Sequence, residues 1–596
     1  MRRAKDDDEA TPLLANTDNA GHLADFTSSS SSSSAGTSTP SSALDADAVS
    51  ATSSSLDGDA PTVDEGPVGW LSLPKKKQLI LLALCRLSEP ISSTSLLSYV
   101  YYFIQSLPGA ETPQQISRRA GMMVAAFSLC QFVTGMIWGR LSDIYGRKPV
   151  IVIGLMGSML ASLGLGFSTS YRWAVCMRMV SGGSNATTGV LRTIVAELIK
   201  EKRYQSRAFL IMPMCMNIGI IIGPMLGGIL ANPIESHPDI FGPGSWLGGK
   251  DGVGWMRKYP YALPNLVSAV FLCLSFLLAT FGLEETNPSG DILGQIKAKL
   301  FSMWTRITRP FRRTQYQPLS TIDTPTTTTT ASAPAETRAV PLRQVLTPSV
   351  TLCLICFIVL PLHNSTFMQL YPIFLSTPRA DNSHPSTPLS FTGGLGLPAA
   401  QVGSAMAILG FIGITMQLFV YPPLQTRLGT LRSYRMSLLL FPIAYLFTPF
   451  LAVLPSANRD LREPASGPAV WTGIVVALMV QVTARTFAGP GNVILLINSV
   501  DNRRALGTVN GLGASLSSLA RAVGPLSAGW GYGLALEEGV VGAVWWAMAV
   551  VAMGGVFVSS YITEGEGFAQ REEEEEEEAE AEVAKDPEPV KIGVRA

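Results

Sequence analysis

Residues 139–148 read Gly139-Arg140-Leu141-Ser142-Asp143-Ile144-Tyr145-Gly146-Arg147-Lys148. Charge and glycine crowd into this stretch, while 120–138 before it and 149–168 after it are almost wholly apolar. A helix needs about 20 mostly apolar residues to cross a bilayer. A short polar loop between two such runs therefore reads as the hairpin between two spanning segments. Hydrocarbon leaves only helices and closed barrels, because every backbone polar group must be paired within the protein. The runs are continuously apolar rather than alternating, which favours helices over a barrel.

The same pattern repeats along the chain. Twelve spans are predicted, at 78–105, 120–139, 149–168, 172–197, 208–231, 261–283, 345–373, 399–421, 435–455, 469–497, 506–532 and 539–561. Composition agrees: 47% of residues are apolar and 15% charged, against about 25% charged in soluble domains. The chain balances 44 basic against 44 acidic residues, which implies no bulk attraction to nucleic acid. Its seven cysteines all fall in apolar stretches, so they are no disulfide framework, and the Cys353-x2-Cys356 pair reads as packing.

Basic loops set the orientation. Lys75, Lys76 and Lys77, then Arg140, Arg147 and Lys148, then Lys200, Lys202, Arg203 and Arg207 alternate with loops of lower positive charge. Arg306, Arg309, Arg312 and Arg313, then Arg427, Arg432 and Arg435, then Arg503 and Arg504 continue the series. That side is expected to be cytosolic, with both termini on it. Arg118 and Arg119 are the exception, on the opposite side. The expected organisation is a polar tail at 1–74, a six-helix bundle at 75–285, a linker at 286–344, a second six-helix bundle at 345–562 and an acidic tail at 563–596. The tails, with serines 28–34 and glutamates 572–578, hold too little apolar surface to fold.

The two halves echo each other. Arg178-x3-Gly182-x2-Asn185 in the fourth span matches Arg485-x3-Gly489-x2-Asn492 in the tenth. Gly223-Pro224 in the fifth span matches Gly524-Pro525 in the eleventh. Parallel six-helix repeats are a known transporter plan, with the substrate bound near the midplane between them.

Residues 139–148 resemble the G-x-x-x-D-x-x-G-R-K signature of the major facilitator superfamily. The stretch Gly219-x3-Gly223-Pro224-x2-Gly227-Gly228 is similar to the motif typical of that superfamily's proton antiporters, and Arg178 with Gly182 resembles its fourth-helix motif. Three further stretches resemble the zinc-induced-facilitator-like and tetracycline-exporter-like group. They are Arg86-Leu-Ser-Glu89-Pro90, Tyr259-Pro-Tyr-Ala-Leu-Pro264-Asn265 and Leu283-Glu284-Glu285-Thr286. The resemblance implies an all-α membrane protein of two pseudo-symmetric six-helix bundles. It further implies proton-coupled antiport, by rocker-switch alternating access, that exports a small organic solute. It also implies that the kinked seam at Gly223-Pro224 helps to prevent leak.

Candidate site residues follow from the cost of charge in lipid. Arg86 and Glu89 share one helix face at i,i+3 spacing and can pair. Glu89 is the expected proton carrier, tuned by Arg86 or Arg178; the alternative is a static pair joining helices. His363 has a side chain whose ordinary pKa near 6.5 suits proton exchange, with hydrogen-bonded packing as the alternative. Gly139, Asp143, Gly146, Arg147 and Lys148, with Glu197 as a second partner for Arg147, are read as a conformational latch between halves. Arg485, Asn492, Arg521, Gly524 and Pro525 are the second-half counterparts. Tyr99, Gln131, Asn217, Phe367, Gln369 and Gln481 are candidate cavity groups.

No Walker motif, metal-ligand cluster or nucleophile–base pair is apparent, so neither ATP, a metal, a cofactor nor enzymatic chemistry is expected. The expected partners are a small-molecule substrate, protons and the lipid bilayer, for a monomer. Glu9-x3-Leu13-Leu14 resembles an acidic dileucine sorting signal, which points to a vacuolar or lysosome-like membrane; the expected location is a plasma or vacuolar membrane. Two competing readings are a nutrient importer (symporter or uniporter) and a non-transporting receptor of the same fold. The antiporter-type motif weighs against the first, and retention of the loop motif and Glu89 weighs against the second.

Overall fold

Gly146 turns the chain between two helices with a φ of 98°, a backbone conformation that glycine adopts at little cost. The computed structural model describes residues 73–286, except 186, 200 and 201, and residues 345–563, except 383–388 and 501–505. All of these belong to one compact unit, Pro67–Ala596. The sorting-signal candidate at 9–14, the acidic run and nearly all of both expected tails and the linker lie outside the described residues.

The long helices of the first part are α1 (Lys76–Gln105), α2 (Pro113–Tyr145), α3 (Arg147–Gly166), α4 (Tyr171–Ser184), α5 (Thr187–Leu198), α6 (Lys202–Leu230) and α7 (Ala262–Gly282). The second part holds α8 (Pro348–Ser376), α9 (Ala399–Thr415), α10 (Tyr421–Leu428), α11 (Thr430–Phe447), α12 (Pro468–Asn498), α13 (Leu506–Glu537) and α14 (Gly542–Ser560). Helix starts follow capping chemistry. The side chains of Thr112, Ser170 and Thr347 accept backbone N–H bonds from Gln115, Trp173 and Val350, and Pro113 and Pro348 occupy the first turn. Proline also sits inside α1 (Pro90), α6 (Pro213, Pro224), α8 (Pro361, Pro372), α12 (Pro490) and α13 (Pro525), each removing a backbone donor and favouring a kink.

Among the described residues, nine helical segments are long and apolar enough to cross a membrane. Three of the predicted spans are not in that set. The 172–197 span is divided at Asn185 into α4, of 14 residues, and α5, of 12. The uncharged apolar stretch 120–139 of α2 includes a side chain outside the described residues, and α13 is diluted by glycine and serine. Helices α2 and α13 pack on each other, and small residues there serve close backbone approach rather than lipid solubility.

Helix α1 lies on α6 and α7, α3 on α7 and α2 on α4, while α8 lies on α13 and α14 and α11 on α12 and α14. The two most extensive pairs that join the earlier helices to the later ones are α2 with α13 and α9 with α6; α1 also touches α8 and α9, and α2 touches α8. The later helices share an aromatic core around the fully buried Trp545, whose ring lies 5.9 Å from Phe367 and 5.6 Å from Phe374.

Candidate functional site

The two cross pairs are built alike. A Cβ on Gly121 of α2 would lie 2.6 Å from the Pro525 carbonyl and 2.9 Å from Gly529 Cα in α13. A Cβ on Gly403 of α9 would lie 2.4 Å from the Pro224 carbonyl in α6, and one on Gly228 would lie 2.5 Å from the Ala399 carbonyl. Real Cβ contacts do not come that close, so only glycine allows either seam. Ser117 Oγ donates to the Gly529 carbonyl (3.1 Å), and Arg118 Nη2 forms an ion pair with Glu537 (2.9 Å). Tyr102 Oη donates to the Leu397 carbonyl (2.5 Å). All these contacts lie at one end of the helices, termed the far end. Toward the other end, where the loops hold Arg147, Lys148, Arg427 and Arg432, a Cβ on Gly135, Gly139 or Gly511 would meet nothing within 4 Å. The glycine contacts that press α2 and α13 together thus lie at the far end, while these glycines toward the basic end face free space.

The membrane-buried ion pair sits on α1. Arg86 Nη1 donates to Glu89 Oε2, and both side chains are buried. Pro90 follows at once, and α6 packs against this turn through its glycine row. A Cβ on Gly219 would lie 2.2 Å from Pro90 Cβ, one on Gly223 2.1 Å from Thr94 Oγ1, and one on Gly227 2.1 Å from the Ser95 carbonyl. Thr94 Oγ1 lies 2.7 Å from the Pro90 carbonyl and 2.8 Å from that of Gly219, which ties α1 to α6. Beside Pro525, the second-part counterpart is Gly524, whose Cβ would lie 2.4 Å from the Leu362 carbonyl of α8.

At the basic end, Arg147 Nη2 donates to Glu197 Oε1 (3.1 Å), and its Nη1 donates to Ser142 Oγ (3.1 Å). Thr286 Oγ1 donates to the other oxygen of Glu197. The Glu285 carboxylate accepts the backbone N–H groups of Arg147 (2.8 Å) and Lys148 (3.0 Å), so it caps the positive start of α3. The Asp143 side chain lies outside the described residues. Among the described side chains, these bonds join the ends of α2, α3, α5 and α7. Replacing Glu285 by Ala strips an acceptor from two N–H groups at a helix start, a loss of about 1–2 kcal/mol. We expect a lower thermal midpoint for the purified protein in detergent, with Glu285→Gln between the two.

The other predicted residues separate into groups. Arg178 is buried with its guanidinium 4.5 Å from the Phe127 ring centre. Arg485 Nη1 lies 3.8 Å from Met368 Sδ, and Arg521 donates to Ser517 and Ser518 on its own helix. His363 Nδ1 lies 2.8 Å from Tyr445 Oη, and its ring packs 4.7 Å from Phe441. Asn217 of α6 donates to Gln417, in the π turn Met416–Val420 that joins α9 to α10. Gln481 donates to Asn364 (3.0 Å), Gln131 to the Asn185 carbonyl (3.2 Å), and Tyr434 to Asn492 (3.5 Å). Gln369 is buried with neither amide atom hydrogen-bonded among the described residues. Tyr99 and Phe367 do not form open cavity walls: they are 1% and 0% exposed, stacked on Tyr261 and Tyr371. Sequence reasoning missed Glu537, Gly121 and Gly403. Its one pointer was the out-of-place Arg118, which proves to be an ion-pair partner.

The model of the Major Facilitator Superfamily matches residues 82–525. The chain is 32% identical over 535 residues to the Major facilitator superfamily multidrug transporter mfsB of Aspergillus fumigatus, covering 83% of this chain and 85% of that protein. It is 27% identical over 446 residues to Protein ZINC INDUCED FACILITATOR 1 of Arabidopsis thaliana, covering 74% and 81%. A crystal structure of a D-xylose-proton symporter superposes with a TM-score of 0.55 at 12% identity, covering 83% of this chain and 99% of that one, a likeness of fold.

Proposed function

The chain belongs to the Major Facilitator Superfamily, and from that premise, which makes it a multi-pass membrane transporter and no enzyme, we propose that it is a proton-coupled antiporter exporting a small organic solute. The observation that carries this reading is Glu89. Among the described spanning helices it is the one carboxylate away from a helix end, and it is buried against Arg86 on the helix that α6 packs upon. A buried carboxylate in lipid is costly, and such groups mark proton and substrate paths. Proton binding would neutralise Glu89 and release Arg86, changing the charge that α1 presents to α6.

In this reading twelve helices form two six-helix bundles, 75–285 and 345–562, in a monomer. The positive-inside rule makes the basic end cytosolic, with both termini on that side, in a plasma or vacuolar membrane. The described arrangement is then open to the cytosol and closed outside by the glycine seams and Arg118–Glu537. Rocking would open those seams and bring the basic ends together. His363, held by Tyr445 and Phe441, serves packing in the second bundle. The fungal relative's name, a multidrug transporter, supports export of organic solutes. Sealed vesicles carrying the protein test the reading. An imposed pH gradient should drive movement of a fluorescent drug panel opposite to protons, and collapsing the gradient should stop it. Movement indifferent to the gradient would remove proton coupling.

A further inference from the structure

Charge does not balance inside the spanning helices. Arg86 and Glu89 neutralise each other. Neither Arg178 nor Arg485 forms an ion pair among the described residues. Arg178 is buried against an aromatic face, which partly offsets its charge. Arg485 has less. It lies in the middle of α12, a membrane-crossing helix, and is half-buried. Its recorded hydrogen-bond partner is the thioether of Met368 at 3.8 Å, a weak acceptor. A guanidinium at that depth is costly unless it faces water, a partner or a ligand.

Arg485 meets α9 at a glycine. A Cβ on Gly413 of α9 would lie 3.5 Å from Arg485 Nη2 and 3.8 Å from Asn217 Oδ1. The guanidinium and the Asn217 amide oxygen therefore approach one point, with Val482 Cγ1 3.6 Å from it, where glycine leaves out a side chain. Asn217 belongs to α6 and Arg485 to α12, so the two sides of the seam meet here. Asn217 also donates to Gln417. One helical turn from Arg485, Gln481 has a buried amide oxygen without a partner. A planar fork of donors is suited to a carboxylate or sulfonate, while the amide oxygens of Asn217 and Gln481 can accept from donors elsewhere on the solute.

We propose that the transported solute carries a negatively charged group, and that Arg485 binds it in the gap bordered by Asn217, Gly413 and Gln417. This rests on the transporter reading and adds the charge class of the substrate. A bound anion supplies the missing counter-charge and touches both sides of the seam, so binding bears directly on how the helices close.

The test is thermal stabilisation of the full-length protein in detergent, which needs neither transport nor a proton gradient. A loss of antiport and a loss of this site are therefore separable. The probes are 2-naphthoate and naphthalene-2-sulfonate, the neutral 2-naphthamide, and sodium sulfate at matched ionic strength. The two organic anions should raise the melting temperature and the amide should not. Arg485→Gln should weaken apparent affinity about 10- to 100-fold. Arg485→Lys keeps the charge and should retain part of the effect. Gly413→Val should block the gap and abolish stabilisation while Arg485 remains. The proposal is overturned by equal stabilisation from the amide or from sulfate, by no stabilisation from either organic anion, or by an unchanged response in Arg485→Gln.

Discussion

Replacing Glu89 by Gln is expected to lower pH-gradient-driven transport about a hundredfold, the scale at which loss of a positioned proton-transfer group is felt. Gln keeps the volume and the hydrogen-bonding reach of Glu but cannot take up or release a proton. The change also leaves Arg86 without its carboxylate in a buried site. Removing one partner of such a pair is destabilising by about 3–5 kcal/mol, because a buried charge is left uncompensated. Loss of transport by Glu89→Gln alone is therefore ambiguous between chemistry and folding. The double variant Arg86→Gln/Glu89→Gln resolves this, since it removes both charges. It should recover the thermal midpoint and the membrane level of the parent while still failing to couple protons. Gradient-driven flux restored in the double variant would show that the pair is a structural tie. Vesicle flux with an imposed gradient, read beside a detergent melting curve, measures both.

Replacing Gly121 and Gly403 by Val is expected to shift the resting arrangement toward one open at the far end. Each added side chain starts from a Cβ placed 2.6 or 2.4 Å from a backbone carbonyl across the seam. Backbone cannot yield as a flexible side chain does, so the seam must part. Overpacking of this kind costs about 1–3 kcal/mol per site. That cost falls only on the state in which the seam is shut. An equilibrium moves by the difference a change makes between two states, and 1.4 kcal/mol is about tenfold. The pair of substitutions should thus favour far-end opening by about 25- to 20,000-fold, if the sites act independently. A cysteine introduced at Ser117 should gain reactivity with an impermeant maleimide applied from the far side. Unchanged reactivity would mean that the seam stays shut and that these glycines are not part of a moving contact.

Much of the fold was legible because its signals are local. Apolar runs of bilayer length and prolines lie within single segments of sequence, and Gly219, Gly223 and Gly227 announce a flat helix face through their four-residue spacing. What those faces meet was not legible. The periodicity of α2 does not say that Gly121 lies against Gly529, a residue far along the chain. Glu285 stands 138 residues from the N–H of Arg147 that it caps, and no pattern links the two. The fourth predicted span breaks at Asn185, although its overall hydropathy reads as continuous. Tyr99 and Phe367 were read as cavity walls because aromatic residues suit that role, but composition does not tell which side of a helix a ring occupies. Both face other rings. Arg86 with Glu89 was readable, since i,i+3 spacing places partners together within one helix.

The central claim is that the two ends of the molecule open in turn around a shared midplane. Spin labels at Glu111 and Glu538 report the far end, and labels at Tyr145 and Arg427 report the basic end, in a background with the seven native cysteines replaced. All four positions are exposed. Pulsed electron–electron distance distributions would be recorded at high and low pH, and for the Gly121→Val/Gly403→Val protein. The account predicts reciprocal change: as the far-end distance lengthens, the basic-end distance shortens. Distances that stay fixed, or that lengthen together at both ends, would contradict it.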